Sequence, residues 1–275
     1  MHKPILETYG LDFAYHDGRP VLDGVTVSIL HGESVGIIGP NGAGKSTLLM
    51  HFNGILHGRG RVVVDGIEVG RDTLRDIRRK VGWIAQDSDD QLFMPTLFDD
   101  VAFGPLNMGL SEDEVRRRVE EALALVGLSD FAERAPHHLS GGEKKSAAIA
   151  TVLSMRPEVI LMDEPTNDLD HSARRSLIEF LRELPVTKVV ASHDLEMIID
   201  LCPRVILLDK GRVIADGAST EILADEALLR AHRLEAPLSV VLRKEREKKL
   251  DSLNKEARTT DHHEDTKDTK TNEER

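Results

Sequence analysis

Gly39-Pro40-Asn41-Gly42-Ala43-Gly44-Lys45-Ser46-Thr47 follows the apolar, β-branched run Ser34-Val-Gly-Ile-Ile38 and opens into Thr47-Leu-Leu-Met-His-Phe52. This is the G-x-x-x-x-G-K-[ST] pattern set between a strand and a helix start, the context in which it makes a phosphate-binding loop. Its glycines let the backbone take φ > 0 and approach phosphate with no Cβ in the way. The loop N–H groups and the helix N-terminus then form an anion hole. Lys45 comes within reach of β- and γ-phosphates, and the Ser46 hydroxyl within reach of Mg²⁺. The stretch predicts a nucleoside triphosphate site; the bland alternative is a glycine-rich turn with a surface lysine.

Working outward, several apolar runs stop where polar chemistry begins. Val159-Ile-Leu-Met162 is continuously apolar, as a buried parallel strand should be, and it ends in Asp163-Glu164. Two carboxylates there are costly unless a cation or a substrate proton uses them. Asp163 is placed to hold Mg²⁺ and Glu164 to polarise an attacking water. Val186-Thr-Lys-Val-Val-Ala191 ends in Ser192-His193-Asp194, where His193 can hydrogen-bond a γ-phosphate or be merely structural. Val81-Gly-Trp-Ile-Ala85 ends at Gln86, an amide able to hold Mg²⁺ or orient water. Open α/β sheets put their ligand contacts at such strand ends. Leu139-Ser140-Gly141-Gly142-Glu143 opens a helix reaching Met155, with Ser140 as N-cap. Its glycines leave a second helix N-terminus open to an anion, or the segment is simply a capped helix after a loop. Tyr15 either stacks on an adenine or fills the core from an edge strand.

The chain has 275 residues, 40% of them hydrophobic, enough for one large domain or one domain with appendages. No apolar run approaches the ~20 residues of a membrane span. The start, Met1-His-Lys-Pro-Ile-Leu-Glu7, has no signal-peptide pattern. Cys202 is the single cysteine, which excludes an intrachain disulfide and fits a reducing compartment. A net charge of −12 argues against nucleic acid and anionic lipid as partners. Residues 5–38 read as strand-rich. Helices are expected over Asp72–Lys80, Leu97–Met108 and Glu112–Val126, the last with Val115, Val119, Leu123 and Val126 on one face. A hairpin is expected over Val205–Ala215 and a helix over Thr220–Leu229. The pairs His137-His138 and His262-His263 invite a metal reading, but solvated surface suits both better.

Taken together and in order, these residues resemble the ATP-binding subunit of an ABC transporter. The resemblance spans roughly residues 5–225. It implies Tyr15 as the adenine-stacking aromatic, 39–47 as Walker A and Gln86 as the Q-loop glutamine. It implies Leu139–Glu143 as the signature, Asp163-Glu164 as Walker B plus base, Asp170 at the end of the D-loop and His193 as the switch histidine. The implied fold is α/β: a P-loop ATPase with a mostly parallel core sheet, an N-terminal antiparallel β subdomain and a helical signature subdomain. The expected divisions are an ATPase domain at 1–225 (helical part about 87–155), a helical extension at 226–258 and a disordered tail at 259–275.

The stretch Gln86-Asp-Ser-Asp-Asp-Gln-Leu-Phe93, followed by Asp99-Asp-Val-Ala-Phe-Gly-Pro105, is similar to ATPases of energy-coupling-factor and cobalt/nickel-uptake systems. That likeness implies an ATP- and Mg²⁺-dependent ATPase energising a micronutrient importer. It would work as a homodimer or as a heterodimer with a paralogue. Its catalytic residues would be Glu164, His193 and Gln86, with Ser46, Gln86 and Asp163 around the metal and Ser140, Gly141 and Gly142 facing the partner copy's nucleotide. Its partners would be transmembrane coupling and substrate-binding subunits, and it would sit peripherally on the cytoplasmic face of the membrane. The rival readings are an ABC-type ATPase uncoupled from transport and a regulatory nucleotide-binding module. The chain departs from the pattern at Ser88, Glu143, His171 and above all Ser146, where the family usually has arginine.

Overall fold

The computed structural model describes residues 3–16, 18–246 and 249; the end of the extension expected over 226–258, the tail expected over 259–275 and His262-His263 lie outside them. Two sheets form the frame. Strands β1 (Pro4–Ala14), β2 (Pro20–Leu30), β4 (Arg59–Val64) and β5 (Ile67–Glu68) make an antiparallel sheet in the order β2-β1-β4-β5. The second sheet runs β10 (Arg212–Ala218), β9 (Arg204–Asp209), β3 (Ser34–Ile38), β8 (Thr187–Ala191), β7 (Val159–Asp163), β6 (Val81–Ile84). All its neighbours pair in parallel except the β9–β10 hairpin. The expected mostly parallel core with an antiparallel N-terminal sheet is what the chain builds.

β7 and β8 are buried at every position, as covered parallel strands must be. Helix α1 (Lys45–Phe52) packs in the layer between the two sheets, where Leu48, Leu49 and Phe52 are fully buried. Gly82 in β6 admits α5 (Gly141–Leu153) at close range: a Cβ there would stand 2.2 Å from Val152 Cγ1. α3 (Leu97–Asn107), α4 (Glu112–Leu125) and α5 bury a cluster of their own around Val101, Val119 and Ala147. α6 (His171–Glu183) and α7 (Leu195–Leu201) cover the sheet's other face and are joined by Arg174, bidentate to Asp194 at 2.7 and 2.9 Å.

The single helix expected over Thr220–Leu229 is two helices, α8 (Ser219–Ile222) and α9 (Glu226–Ala231). Asp225 breaks it by capping α9, its Oδ1 accepting from Leu228 N at 3.0 Å. A further helix occupies 238–246, folded back so that Lys244 Nζ donates to Ala224 O. Among the described residues no helix is long and apolar enough to cross a membrane. Cys202 is buried and its thiol is pushed up to about 12 by burial, as befits core filler.

Candidate nucleotide site

The parallel strands bring their carboxyl ends to one edge, so the chemistry at the ends of β3, β6, β7 and β8 converges. After β3 the loop turns at Gly39, whose φ is +151° and whose Cβ would stand 2.0 Å from Leu208 O; only glycine fits. Gly211 N donates to Ala43 O at 3.0 Å, tying the loop to the β9–β10 turn. Lys45 is 7% exposed and donates through Nζ to Gly39 O at 2.9 Å and Pro40 O at 3.4 Å. Burial pushes its pKa down, while Glu164 and Asp163 pull it up. Its ammonium is thus held over the loop's own carbonyls.

Asp163 closes β7 and is 5% exposed. Burial raises its pKa; a hydrogen bond from Ser46 and the charge of Lys45 oppose that, with Glu164 adding to it. Its Oδ1 is buried with no hydrogen-bond partner. Glu164 follows at φ +45°, an uncommon left-handed conformation for a residue with a side chain. Its N–H donates to Ala191 O at 2.8 Å, which carries the chain across to β8. Its carboxylate accepts from Ser192 Oγ at 2.7 Å and His193 N at 3.1 Å, and lies 2.9 Å from His193 Nδ1.

Tyr15 stands just past β1, 45% exposed, with its hydroxyl 3.3 Å from Thr47 Oγ1 and Phe13 edge-on at 4.9 Å. The 39–47 loop, Tyr15, Gln86, Glu164 and His193 line one cleft of about 760 Å³. Asp163 does not line it: it is hydrogen-bonded to Ser46, which does, and itself lines the neighbouring hollow on the far side of Gln86. Ser140, Gly141 and Gly142 are not brought there either. They line a second cleft, of about 700 Å³, that shares no residue with the first. Ser140 caps α5 in a reciprocal capping box: Ser140 N donates to Glu143 Oε2 at 2.7 Å and Glu143 N to Ser140 Oγ at 3.4 Å. His137 and His138 meet ring to ring at 4.2 Å in a short 3₁₀ turn, and no cluster of potential metal ligands among the described residues includes them.

Other residues of the site carry no sequence signal. Lys145, on the inner face of α5, is 4% exposed and donates to Gln86 O at 2.8 Å and Ala85 O at 3.2 Å. Gln91 accepts from Ala85 N at 3.1 Å and donates to Ala148 O at 2.9 Å and Thr151 Oγ1 at 2.8 Å. Together they fasten the Gln86 segment to α5. Nothing in K-K-S or D-D-Q sets these two apart from solvated neighbours. Beyond Gln86 opens a third hollow of about 890 Å³, on whose wall Phe93 (63% exposed) meets Phe103 (43%) edge to face at 5.2 Å.

The arrangement can do phosphoryl transfer to water: an anion hole with a cation, a buried carboxylate missing a partner, and a second carboxylate held by a histidine. Known proteins resemble the chain as a whole. Residues 22–167 match the family model described as ABC transporter. The energy-coupling factor transporter ATP-binding protein EcfA of Methanothermobacter thermautotrophicus is 48% identical over 239 residues, 85% of this chain and 77% of that one. The cobalt import ATP-binding protein CbiO of Rhodobacter capsulatus is 48% identical over 245 residues, covering 87% and 88%. Among solved structures, cbiO1 from Clostridium perfringens, part of the transporter complex cbiONQ, superposes with a TM-score of 0.74 at 38% identity over 88% of this chain and 99% of that one. The dimeric cassette MJ0796 in a post-hydrolysis state with ADP and Pi gives 0.71 at 30% identity, covering 78% and 99%. With its family model matching residues 22–167 and relatives 48% identical over most of its length, the chain belongs to the ABC transporter family, as one of its ATP-binding cassettes.

Proposed function

We propose that the chain is the ATP-hydrolysing subunit of a membrane importer for a micronutrient, cobalt or nickel first among them. The observation that carries the enzymatic half is the convergence of the phosphate loop, Glu164 and His193 on one cleft. In this reading the 39–47 N–H groups and Lys45 take the β- and γ-phosphates. Lys45 leaves the Gly39 and Pro40 carbonyls to do so. Tyr15 stacks on the base, an interaction of about 1–3 kcal/mol. Glu164 takes the proton of the attacking water, and His193 steadies both that carboxylate and the γ-phosphate.

The oxygen donors at this cleft fit Mg²⁺: a buried, unpartnered Asp163 Oδ1, the Ser46 hydroxyl bonded to that carboxyl, and the Gln86 amide on the cleft wall. When bound, the ion supplies neutralisation of the charge developing on the phosphate oxygens.

The Ser140–Gly142 cleft and the loop cleft share no residue, so in this reading one chain does not close both around one nucleotide. Two cassettes arranged head to tail do, each offering its signature helix to the other's loop. The hollow beyond Gln86 is the seat for a helix of the transmembrane subunit. It shares Gln86 with the nucleotide cleft, so nucleotide state and docking are read by one residue. The membrane association is peripheral and through these partners. Support for importer type and cargo comes from the EcfA and CbiO relatives.

The test has two readouts. Purified chain should hydrolyse ATP in a Glu164-dependent manner, and tagged chain should carry a polytopic protein out of detergent-solubilised membranes. Recovery of ribosomal proteins instead would support an ATPase uncoupled from transport. The cargo is read from metal uptake by cells lacking the chain.

A further inference from the structure

Behind the nucleotide cleft, α9 is followed by His232-Arg233-Leu234, which turns back toward the phosphate loop. Leu234 N donates to Leu229 O at 2.8 Å, and Arg233 adopts φ +59°, a left-handed conformation that arginine takes at a cost. Two side-chain contacts hold the turn. His232 Nδ1 lies 2.9 Å from Asp209 Oδ2, and Arg233 Nη2 donates to Asp209 Oδ1 at 3.4 Å. Asp209 ends β9, only 10% of its side chain exposed, and stands two residues before Gly211, whose N–H bonds Ala43 O. The turn is therefore anchored to the same hairpin that braces the loop. Arg233 and Leu234 form part of the wall of the loop cleft.

We infer that Arg233 is a further nucleotide-binding residue, a second cation for the phosphates of the bound nucleotide supplied by the segment after the ATPase fold; this rests on the nucleotide reading of the cleft. The chemistry favours an anion. The side chain is 67% exposed, and its contact with Asp209 is long and engages one of five N–H donors. The fork remains open for phosphate oxygens, which it suits in geometry as well as charge. The tether sets which part of the nucleotide it meets. Asp209 follows Leu208, whose carbonyl faces Gly39, so Arg233 is held on the loop side of the cleft. The strained turn has a use in this arrangement: it keeps a guanidinium at the cleft wall before nucleotide arrives.

Competition against a fluorescent ATP analogue tests this, with ATP and with inorganic tripolyphosphate as competitors, on the full chain and its Arg233→Gln, Arg233→Lys and Lys45→Ala variants. Arg233→Gln should weaken both competitors by about tenfold, the usual worth of a charge-assisted hydrogen bond. The loss should shrink as salt rises, and Arg233→Lys should recover most of it. Lys45→Ala serves as the reference. If Lys45→Ala weakens both competitors and Arg233→Gln neither, the role of Arg233 is overturned and the cleft reading stands. If Arg233→Gln weakens ATP but not tripolyphosphate, the contact is to base or ribose and the phosphate role is overturned. If Lys45→Ala changes nothing, the nucleotide reading of the cleft fails first. Matching thermal unfolding of Arg233→Gln and the parent excludes a folding defect at the strained turn.

Discussion

Glu164 and His193 meet across the ends of two neighbouring strands: Glu164 Oε2 lies 2.9 Å from His193 Nδ1, and the backbone N–H of His193 points at the same carboxylate from 3.1 Å. Ser192 Oγ completes the clasp at 2.7 Å. A carboxylate held this firmly, on a backbone at φ +45°, is positioned before any substrate is present.

Replacing it should separate chemistry from binding. Glu164→Gln keeps side-chain size and an acceptor oxygen for Ser192 but cannot take a proton from water. Turnover should fall by about 10²–10⁴-fold, the usual worth of a positioned base, while ATP still binds. A head-to-tail pair should then accumulate. Gel filtration that finds Glu164→Gln monomeric in saturating ATP sinks the shared-nucleotide mechanism.

Lys45→Ala should do the reverse, losing nucleotide binding rather than trapping it. The lysine is 7% exposed, desolvated, and among the described residues bonded to loop carbonyls at 2.9 and 3.4 Å, contacts a phosphate replaces at no further desolvation cost. Truncation leaves Gly39 O and Pro40 O without that donor, so stability falls by about 1 kcal/mol. Fluorescent-nucleotide titration and thermal unfolding, run side by side, separate the two effects. Undiminished nucleotide affinity would remove Lys45 from the phosphate site.

Asp163 links metal binding to pH. Burial raises its folded-state pKa above that in the unfolded chain, so the folded chain holds the proton more tightly. Its contribution to stability is therefore greatest at low pH and is lost as pH rises through the folded value. Asp163→Asn removes that dependence. Without Mg²⁺ the variant should be more stable than the parent at pH 7 by about 1 kcal/mol. The gap should close toward about pH 4, where an ordinary carboxyl protonates. Addition of Mg²⁺ and ATP should stabilise the parent and scarcely move the variant. Thermal unfolding across pH, with and without Mg²⁺–ATP, reads all three, and a variant less stable than the parent at pH 7 contradicts the account.

What was legible in sequence follows from how parallel sheets bury their strands. A strand covered on both faces is a continuous apolar run, so the residue where the run stops is visible: Gln86, Asp163, His193. The register that makes these three neighbours is not visible, because β7 pairs with β6 on one side and β8 on the other, and β8 with β3, each across a long stretch of chain. Lys145 and Arg233 were hidden for another reason. A lysine in a charged helix face and an arginine after a helix look solvated until the fold sets one against the Gln86 backbone and the other on the cleft wall. The break between α8 and α9 depends on a cap at Asp225, which apolar spacing does not register.

Ser146 stands where the resemblance to ABC ATP-binding subunits implies an arginine, and the difference has a physical consequence. It lies partly buried on α5 and lines the 700 Å³ cleft together with Ser176 and Phe180 of α6, Ser140 and Asp170. Asp170 caps α6, its Oδ1 accepting from Ala173 N at 2.8 Å, so the cleft contains a carboxylate with capacity to accept more. An arginine at 146 has room to extend there and five donors to offer its wall. Ser146→Arg should fold with unchanged or higher melting temperature. By stiffening the signature helix against α6, it should raise ATP turnover several-fold, about 1 kcal/mol in barrier. Ser146→Leu fills the same space without donors and separates the two causes: if it raises turnover equally, filling alone matters; if only arginine does, the guanidinium is what the helix lacked. A fall in melting temperature for both variants would mean that α5 and α6 are already packed to their limit, and that Ser146 fits its surroundings as they are.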